Sequence, residues 1–184
     1  MNETPILTAD YITTEHDHIY TYLAQQRFET SRGDRIIMGA VGILAIFIGL
    51  YMLIFVGEIF IKKICWILLV AIGLFLASFY EVINPSLTRI KAKNEYIANK
   101  EKFVSKNIAF YEDKVVINSD RYKGNIPYRY FFQVLEDKRV IIFYLDKNDY
   151  ISIPKRLFTD KDDEALRKIE SLVGKKYVRV DSWR

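Results

Sequence analysis

The chain has 184 residues, 51% apolar and 15% aromatic, and its 27 basic and 23 acidic side chains give a formal charge of +4. Its single cysteine, Cys65, excludes an internal disulfide. Two histidines are the only other soft metal ligands.

The first 35 residues carry three Arg against six acids. ILTADYITTEHDHIYTYLAQQRF opens extended and then changes texture. Thr14 followed by Asp17 approximates a capping box, and Ile19, Tyr22, Leu23 and Gln26 recur at helical spacing. A helix over roughly residues 15–30 is predicted. His16 and His18 flank Asp17, but side chains two apart on a helix point about 200° away from each other, which argues against a shared ion.

Two apolar runs follow, over 36–56 and 64–83. Each is about as long as a helix needs to cross a ~30 Å hydrocarbon core. Glu81, near the end of the second run, is the only ionisable residue in either. Residues 57–63 are too few for a domain, so an antiparallel transmembrane hairpin is predicted. Gly42, Ala45 and Gly49 on one span and Gly73 and Ala77 on the other suit close packing. Trp66 and Tyr80 sit near opposite ends of the second span, as interfacial aromatics tend to. Cys65 starts an apolar span, which suggests packing rather than redox chemistry. Arg27, Arg32 and Arg35 precede the hairpin, Arg89, Lys91 and Lys93 follow it, and the turn has only Lys62 and Lys63. The positive-inside rule then puts both termini in the cytoplasm. A cleaved signal peptide is not expected, because the first run starts at residue 36 and is followed at once by a second. No charge lies mid-span, which favours an anchor over a pore.

A helix is predicted to leave the membrane over 84–106. Next, β-rich clusters alternate with turn clusters, predicting strands near 108–111, 114–118, 123–127, 131–135, 139–145 and 149–153. The acidic start DKDDE and terminal Gly174 frame a last helix, capped by Thr159 or Asp160, whose Ala165, Leu166, Ile169 and Leu172 face the sheet. Asp160, Asp162, Asp163 and Glu164 belong to that helix start, where the macrodipole favours negative charge. Residues 85–184 carry 22 basic and 15 acidic side chains, a balance drawn to anionic headgroups. No nucleic-acid motif accompanies it.

Three short motifs stand in order: Phe110-Tyr111-Glu112-Asp113, Ile126-Pro127-Tyr128 and Ile153-Pro154-Lys155-Arg156-Leu157-Phe158. In this order and spacing the stretch 108–173 resembles the C-terminal domain of the YcxB-like family of bacterial membrane proteins, and the whole chain shares that family's layout. The resemblance implies a PH-like fold, a bent antiparallel sheet with a capping helix. It implies no enzymatic activity.

The fold expected is therefore an α+β membrane protein: a two-helix transmembrane hairpin and a small PH-like antiparallel β domain closed by a C-terminal helix. The segments are 1–35 (strand and helix), the spans 36–56 and 64–83 around an extracytoplasmic turn 57–63, a connecting helix 84–106, and the PH-like domain 107–184. The sequence has no Gly-rich phosphate loop, G-x-S-x-G or H-E-x-x-H, so neither catalytic residues, nor a metal, nor a cofactor is expected. Lys155 and Arg156, between apolar anchors, with Lys123 and Arg129, are the candidate binding residues for phosphate or headgroups; solvated rim charge is the simpler account of them. The function expected is a non-catalytic interaction module of the bacterial cytoplasmic membrane, serving a protein or peptide partner or a second copy of itself. An immunity protein against a bacteriocin or secreted toxin is the alternative.

Overall fold

The computed structural model describes residues 4–55, 60–119 and 123–180. In chain order they form β1 (Leu7–Tyr11), α1 (Glu15–Glu29), α2 (Arg32–Phe55), α3 (Phe60–Ser78), a π-helical turn (Phe79–Ile83) and α4 (Asn84–Ala98). Then come β2 (Lys106–Phe110), β3 (Lys114–Ser119), β4 (Lys123–Pro127), β5 (Gln133–Glu136), β6 (Val140–Tyr144), β7 (Tyr150–Pro154), α5 (Asp163–Val173) and β8 (Tyr177–Arg179). The chain divides into two compact units, one from 1–25 with 92–184 and one from 26–91. The expected turn 57–63 begins in residues outside those described.

In the 26–91 unit, α2 and α3 pack as antiparallel neighbours through small residues. A Cβ on Gly42 would stand 2.5 Å from the Ala77 nitrogen and 2.7 Å from the Gly73 carbonyl oxygen; one on Gly49 would stand 2.6 Å from a Val70 methyl. Backbones this close require glycine and gain van der Waals contact in return. Two helical stretches, Arg32–Phe55 and Lys62–Ala98, are long and apolar enough to cross a membrane. Their large apolar side chains, among them Ile43, Phe47, Ile54, Leu68, Ile72 and Phe75, face outward. Cys65 is exposed with them rather than packed. The π-helical turn has a covalent cause. Pro85 has no N–H to give the Glu81 carbonyl, and its ring crowds that carbonyl. The helix widens instead, and Asn84 N–H bonds Phe79 five residues back.

The other unit is built on two four-stranded sheets. One runs β1-β2-β3-β4, all antiparallel. The second runs β7-β6-β5-β8, with β5 and β8 parallel. The single bent antiparallel sheet expected from the resemblance is instead two sheets, because β4 and β5 do not pair and the 3-10 turn Tyr128–Tyr130 redirects the chain between them. Each sheet then gains one strand from a distant segment. β1 adds to β2, placing Leu7 against Phe110 and Tyr11 against Lys106. β8 adds to β5, placing Val134 against Tyr177.

Alternation along the strands sends one set of apolar residues to the core between the sheets. Phe110, Ile117, Phe131, Val134, Ile141 and Phe143 meet there with Ile169 and Val173 of α5. The strand VIIFY is buried along its whole length, so it needs cover on both faces. The second cover is α1, whose Ala24 and Tyr20 pack on Leu135, Val140, Ile142 and Tyr144. Arg139 lies over the Tyr20 ring at 4.1 Å, within cation–π range.

The buried face of α1 differs from the apolar stripe predicted for it. Asp17, Thr21 and Ala24, spaced i, i+4, i+7, point inward with His18 and Leu23. This face can dock because Asp17 and Thr21 are hydrogen-bonded and His18 packs among aromatic rings. Thr21 hydroxyl donates to the Asp17 carbonyl at 2.9 Å and bonds Ser152 hydroxyl at 2.5 Å. Tyr11 hydroxyl donates to the Ser152 carbonyl. Gly174, at φ 65°, ends α5 where a Cβ would be strained.

Candidate functional site

The motif Ile153-Pro154-Lys155-Arg156-Leu157-Phe158 turns the chain off the end of β7. Pro154 closes the strand, Lys155 N–H donates to the Arg139 carbonyl, and the next residues form one 3-10 turn. Leu157 and Phe158 pack against the core, which fixes where the two basic side chains leave the backbone.

Both find carboxylates of this chain. Arg156 Nε and Nη2 donate to the two oxygens of Asp17 at 3.1 and 2.8 Å. Asp17 also accepts the Thr14 N–H at 2.9 Å, and its own N–H donates to Thr14 Oγ1 at 3.2 Å. This is a reciprocal capping box with Asp in the place of Glu. Burial disfavours the Asp17 charge, but Arg156 and Thr14 outweigh it and hold the carboxyl below its ordinary range.

Lys155 ion-pairs with Glu136 at the end of β5. Glu136 also accepts Arg179 Nε at 2.9 Å, and Arg179 Nη2 donates to Glu170 of α5 at 2.6 Å. Burial again opposes the Glu136 charge, and hydrogen bonds from Lys155, Tyr177 and Arg179 hold it below the usual carboxylate range. Glu136 thus ties β5 to β8 and to the turn after β7, and Arg179 extends the link to Glu170 of α5. The sequence carried no signal for this hub, since Glu136 sits in a turn cluster that reads as solvated.

Lys123 and Arg129 stand elsewhere. Lys123 begins β4 and Arg129 lies in the 3-10 turn after it, so a strand roughly 13 Å long at ~3.3 Å per residue stands between them. Lys123 is exposed at the strand's start. Arg129 stacks on Tyr130 at 5.0 Å from the ring centre. The four candidate residues therefore form no common cluster: Lys155 and Arg156 pair with carboxylates of this chain, while Lys123 and Arg129 are exposed.

The corner holding Arg129 has a further property. Tyr130 is 61% exposed and Phe132 is 55% exposed, while Phe131 between them is fully buried. Lys176 Nζ donates to the Arg129 and Phe131 carbonyls at 2.9 and 2.7 Å, and Phe132 N–H donates to the Tyr144 carbonyl at 2.8 Å. The backbone is held while two aromatic rings and one guanidinium face out. The strand predicted near 131–135 would send Phe131 and Phe132 to opposite faces; both instead precede β5 (Gln133–Glu136), and Phe131 is the one that enters the core. Beside this corner, β4 is the last strand of its sheet among the described residues. Tyr128 N–H bonds the Asp113 carbonyl, so by antiparallel alternation Asn125 and Lys123 turn their backbone groups away from β3.

Among the described residues, no group of three or more His, Cys, Asp or Glu side chains is placed to hold a metal ion.

The comparison with known families falls on this part of the chain. Residues 110–170 match the model of the YcxB-like protein family. The YcxB-like stretch runs from the end of β2 into α5, and contains all three motifs noted in the sequence. No curated protein matches the chain. Arg156 lies inside the YcxB-like stretch and its partner Asp17 lies outside it. The same is true of β3, inside, and β1, two strands away in the same sheet. The family stretch is thus one part of a unit completed from the N-terminal segment.

Proposed function

We propose that this chain is a non-catalytic interaction module anchored in the bacterial cytoplasmic membrane, whose PH-like unit offers one corner to a protein partner in the cytoplasm. The observation that carries the reading is the exposed group Arg129, Tyr130 and Phe132 on a firmly bonded backbone. Arginine and aromatic side chains dominate binding energy at protein interfaces, because they bury much area for little lost rotamer freedom. An extended segment of the partner can add to the free edge of β4, with main-chain bonds supplying affinity and the aromatic corner supplying selectivity.

The anchor is supported by the outward apolar faces of α2 and α3. Exposed to water, such faces would cost about 25 cal/mol per Å². The orientation is supported by the basic residues that flank the two spans on their outer sides. A PH-like character is supported by two antiparallel runs, β2-β3-β4 and β5-β6-β7, in separate sheets and followed by the helix α5.

The test uses the full chain in cells, with a photo-crosslinking amino acid replacing Tyr130 or Phe132. A discrete protein adduct is expected at both positions and not at Glu112, which lies on another turn. In a Cys65→Ser background, a cysteine at Ser119 should resist an impermeant maleimide in intact cells. Adducts of equal yield at all three positions, or labelling at Ser119, refutes the reading.

A further inference from the structure

In the 26–91 unit, Arg32, Arg35, Ile36 and Glu81 line an open cleft of about 280 Å³. Its position follows from the helix pairing. Gly42 lies against Ala77 and Gly73, and Gly49 against Val70 and Trp66. Each step down α2 is matched by a step up α3. Arg35, seven residues before Gly42, therefore comes level with roughly residues 80–84. The cleft opens where both apolar helices reach the same end of the hairpin.

Three features give it a chemistry. Arg32 and Arg35 are spaced i, i+3 and share one face of α2. Guanidinium groups match phosphate oxygens in a bidentate fork. Glu81 stands opposite, on the π-helical turn that Pro85 imposes, so a widened helix delivers a carboxylate to a site otherwise cationic. Such turns recur at functional positions. A purely anionic headgroup would meet repulsion from Glu81. A choline headgroup would offer it no N–H donor. A headgroup carrying both a phosphate and a primary ammonium complements the charges of all three side chains. Ile36 marks where the apolar span begins, which suits the glycerol end of a lipid.

We propose that Arg32 and Arg35 bind the phosphate, and Glu81 the ammonium, of an aminophospholipid such as phosphatidylethanolamine. The site is separate from the Arg129 corner, and rests on the reading of α2 and α3 as membrane helices. It makes the hairpin a selective anchor, one that reads headgroup chemistry where it leaves the bilayer.

The test is native mass spectrometry of the full chain released from mixed micelles of phosphatidylethanolamine, phosphatidylglycerol and phosphatidylcholine in equal amounts. Wild type should retain the ethanolamine lipid over the choline lipid by about fivefold, the upper scale of one solvent-exposed ion pair. Glu81→Gln should abolish that preference while keeping phosphate capture. Arg32→Ala with Arg35→Ala should lower retention of all three lipids. Circular dichroism of each variant confirms that the helices persist. Equal retention of the three lipids by wild type overturns the proposal, as does an unchanged preference in Glu81→Gln. Free phosphoethanolamine that displaces the lipid at equal concentration overturns the lipid assignment in favour of a soluble ligand. Release of the chain from membranes by alkaline carbonate would refute the anchor itself, a failure distinct from that of the cleft.

Discussion

The Asp17–Arg156 pair joins α1 to the turn after β7, and cutting it should loosen the N-terminal segment as a unit. The Asp17 side chain is 7% exposed and that of Arg156 is 51% exposed. Fully buried pairs cost 3–5 kcal/mol to break by removing one partner, and surface pairs about 0–1. A pair with one partner buried and the other half in water falls between, at about 2 kcal/mol. Arg156→Ala should cost that much, because the carboxylate stays buried with only the Thr14 cap to bond it. Asp17→Ala should cost about 3 kcal/mol, since it removes the pair and a cap worth about 1 kcal/mol. With the pair already gone, the second substitution costs only its own remaining part. The double variant should therefore lose about 3 rather than 5 kcal/mol, a coupling near 2 kcal/mol. Hydrogen exchange of the full chain in detergent, read by mass spectrometry over Leu7–Tyr11, measures it. A 2 kcal/mol loss should speed exchange there about thirtyfold. The depressed Asp17 pKa also sets the pH dependence. The unfolded chain binds the proton more readily, so the pair's contribution is complete above the usual carboxylate pKa and is lost as pH falls through the lower folded value. Additive single effects, or exchange in β1 that does not change, would refute the reasoning.

Two further outcomes follow from the packing. Gly42→Leu should destabilise the hairpin by about 1–3 kcal/mol, because a Cβ there meets the Ala77 and Gly73 backbone, whereas a Cβ at Gly39 meets nothing within 4 Å and Gly39→Leu should be near neutral. Thermal unfolding in detergent compares them, and equal damage from both would show that no close seam exists. His18 is buried with its ring 4.9 Å from Tyr22 and 5.0 Å from Phe103, and its Nε2 has no hydrogen-bond partner among the described residues. Burial lowers its pKa, Lys106 adds to the effect and Glu95 opposes it. The unfolded state then binds more protons, so stability should fall as pH drops from about 6.5 toward the depressed folded value. Melting at pH 7.5 and 5.5 should show this loss in wild type and a smaller one in His18→Phe; equal losses would exclude His18 as the cause.

Much of this architecture was legible from residues close together in the chain. Hydropathy over some twenty residues marks α2 and α3, and turn clusters separate β3, β4, β6 and β7, because both effects act within a few residues. Thr14 and Asp17, three apart, announce their capping box for the same reason. Gly42, Gly49 and Gly73 were visible as small residues, but their contact needed the helix pairing. The candidate site divided along this line. Lys155 and Arg156 stood out as basic residues between apolar anchors, yet their partners Glu136 and Asp17 lie 19 and 139 positions away. β1 joins β2 across about a hundred residues, and β8 is too short for a strand signal of its own. Phe131 and Phe132 are the same residue type side by side; local geometry can turn them to opposite faces, but tertiary packing decides which of the two is buried. Local pattern determines which elements form, since propensity and periodicity are properties of neighbours. Which charges are neutralised and which rings face solvent is decided by tertiary packing, since burial and pairing depend on residues brought together from distant parts of the chain.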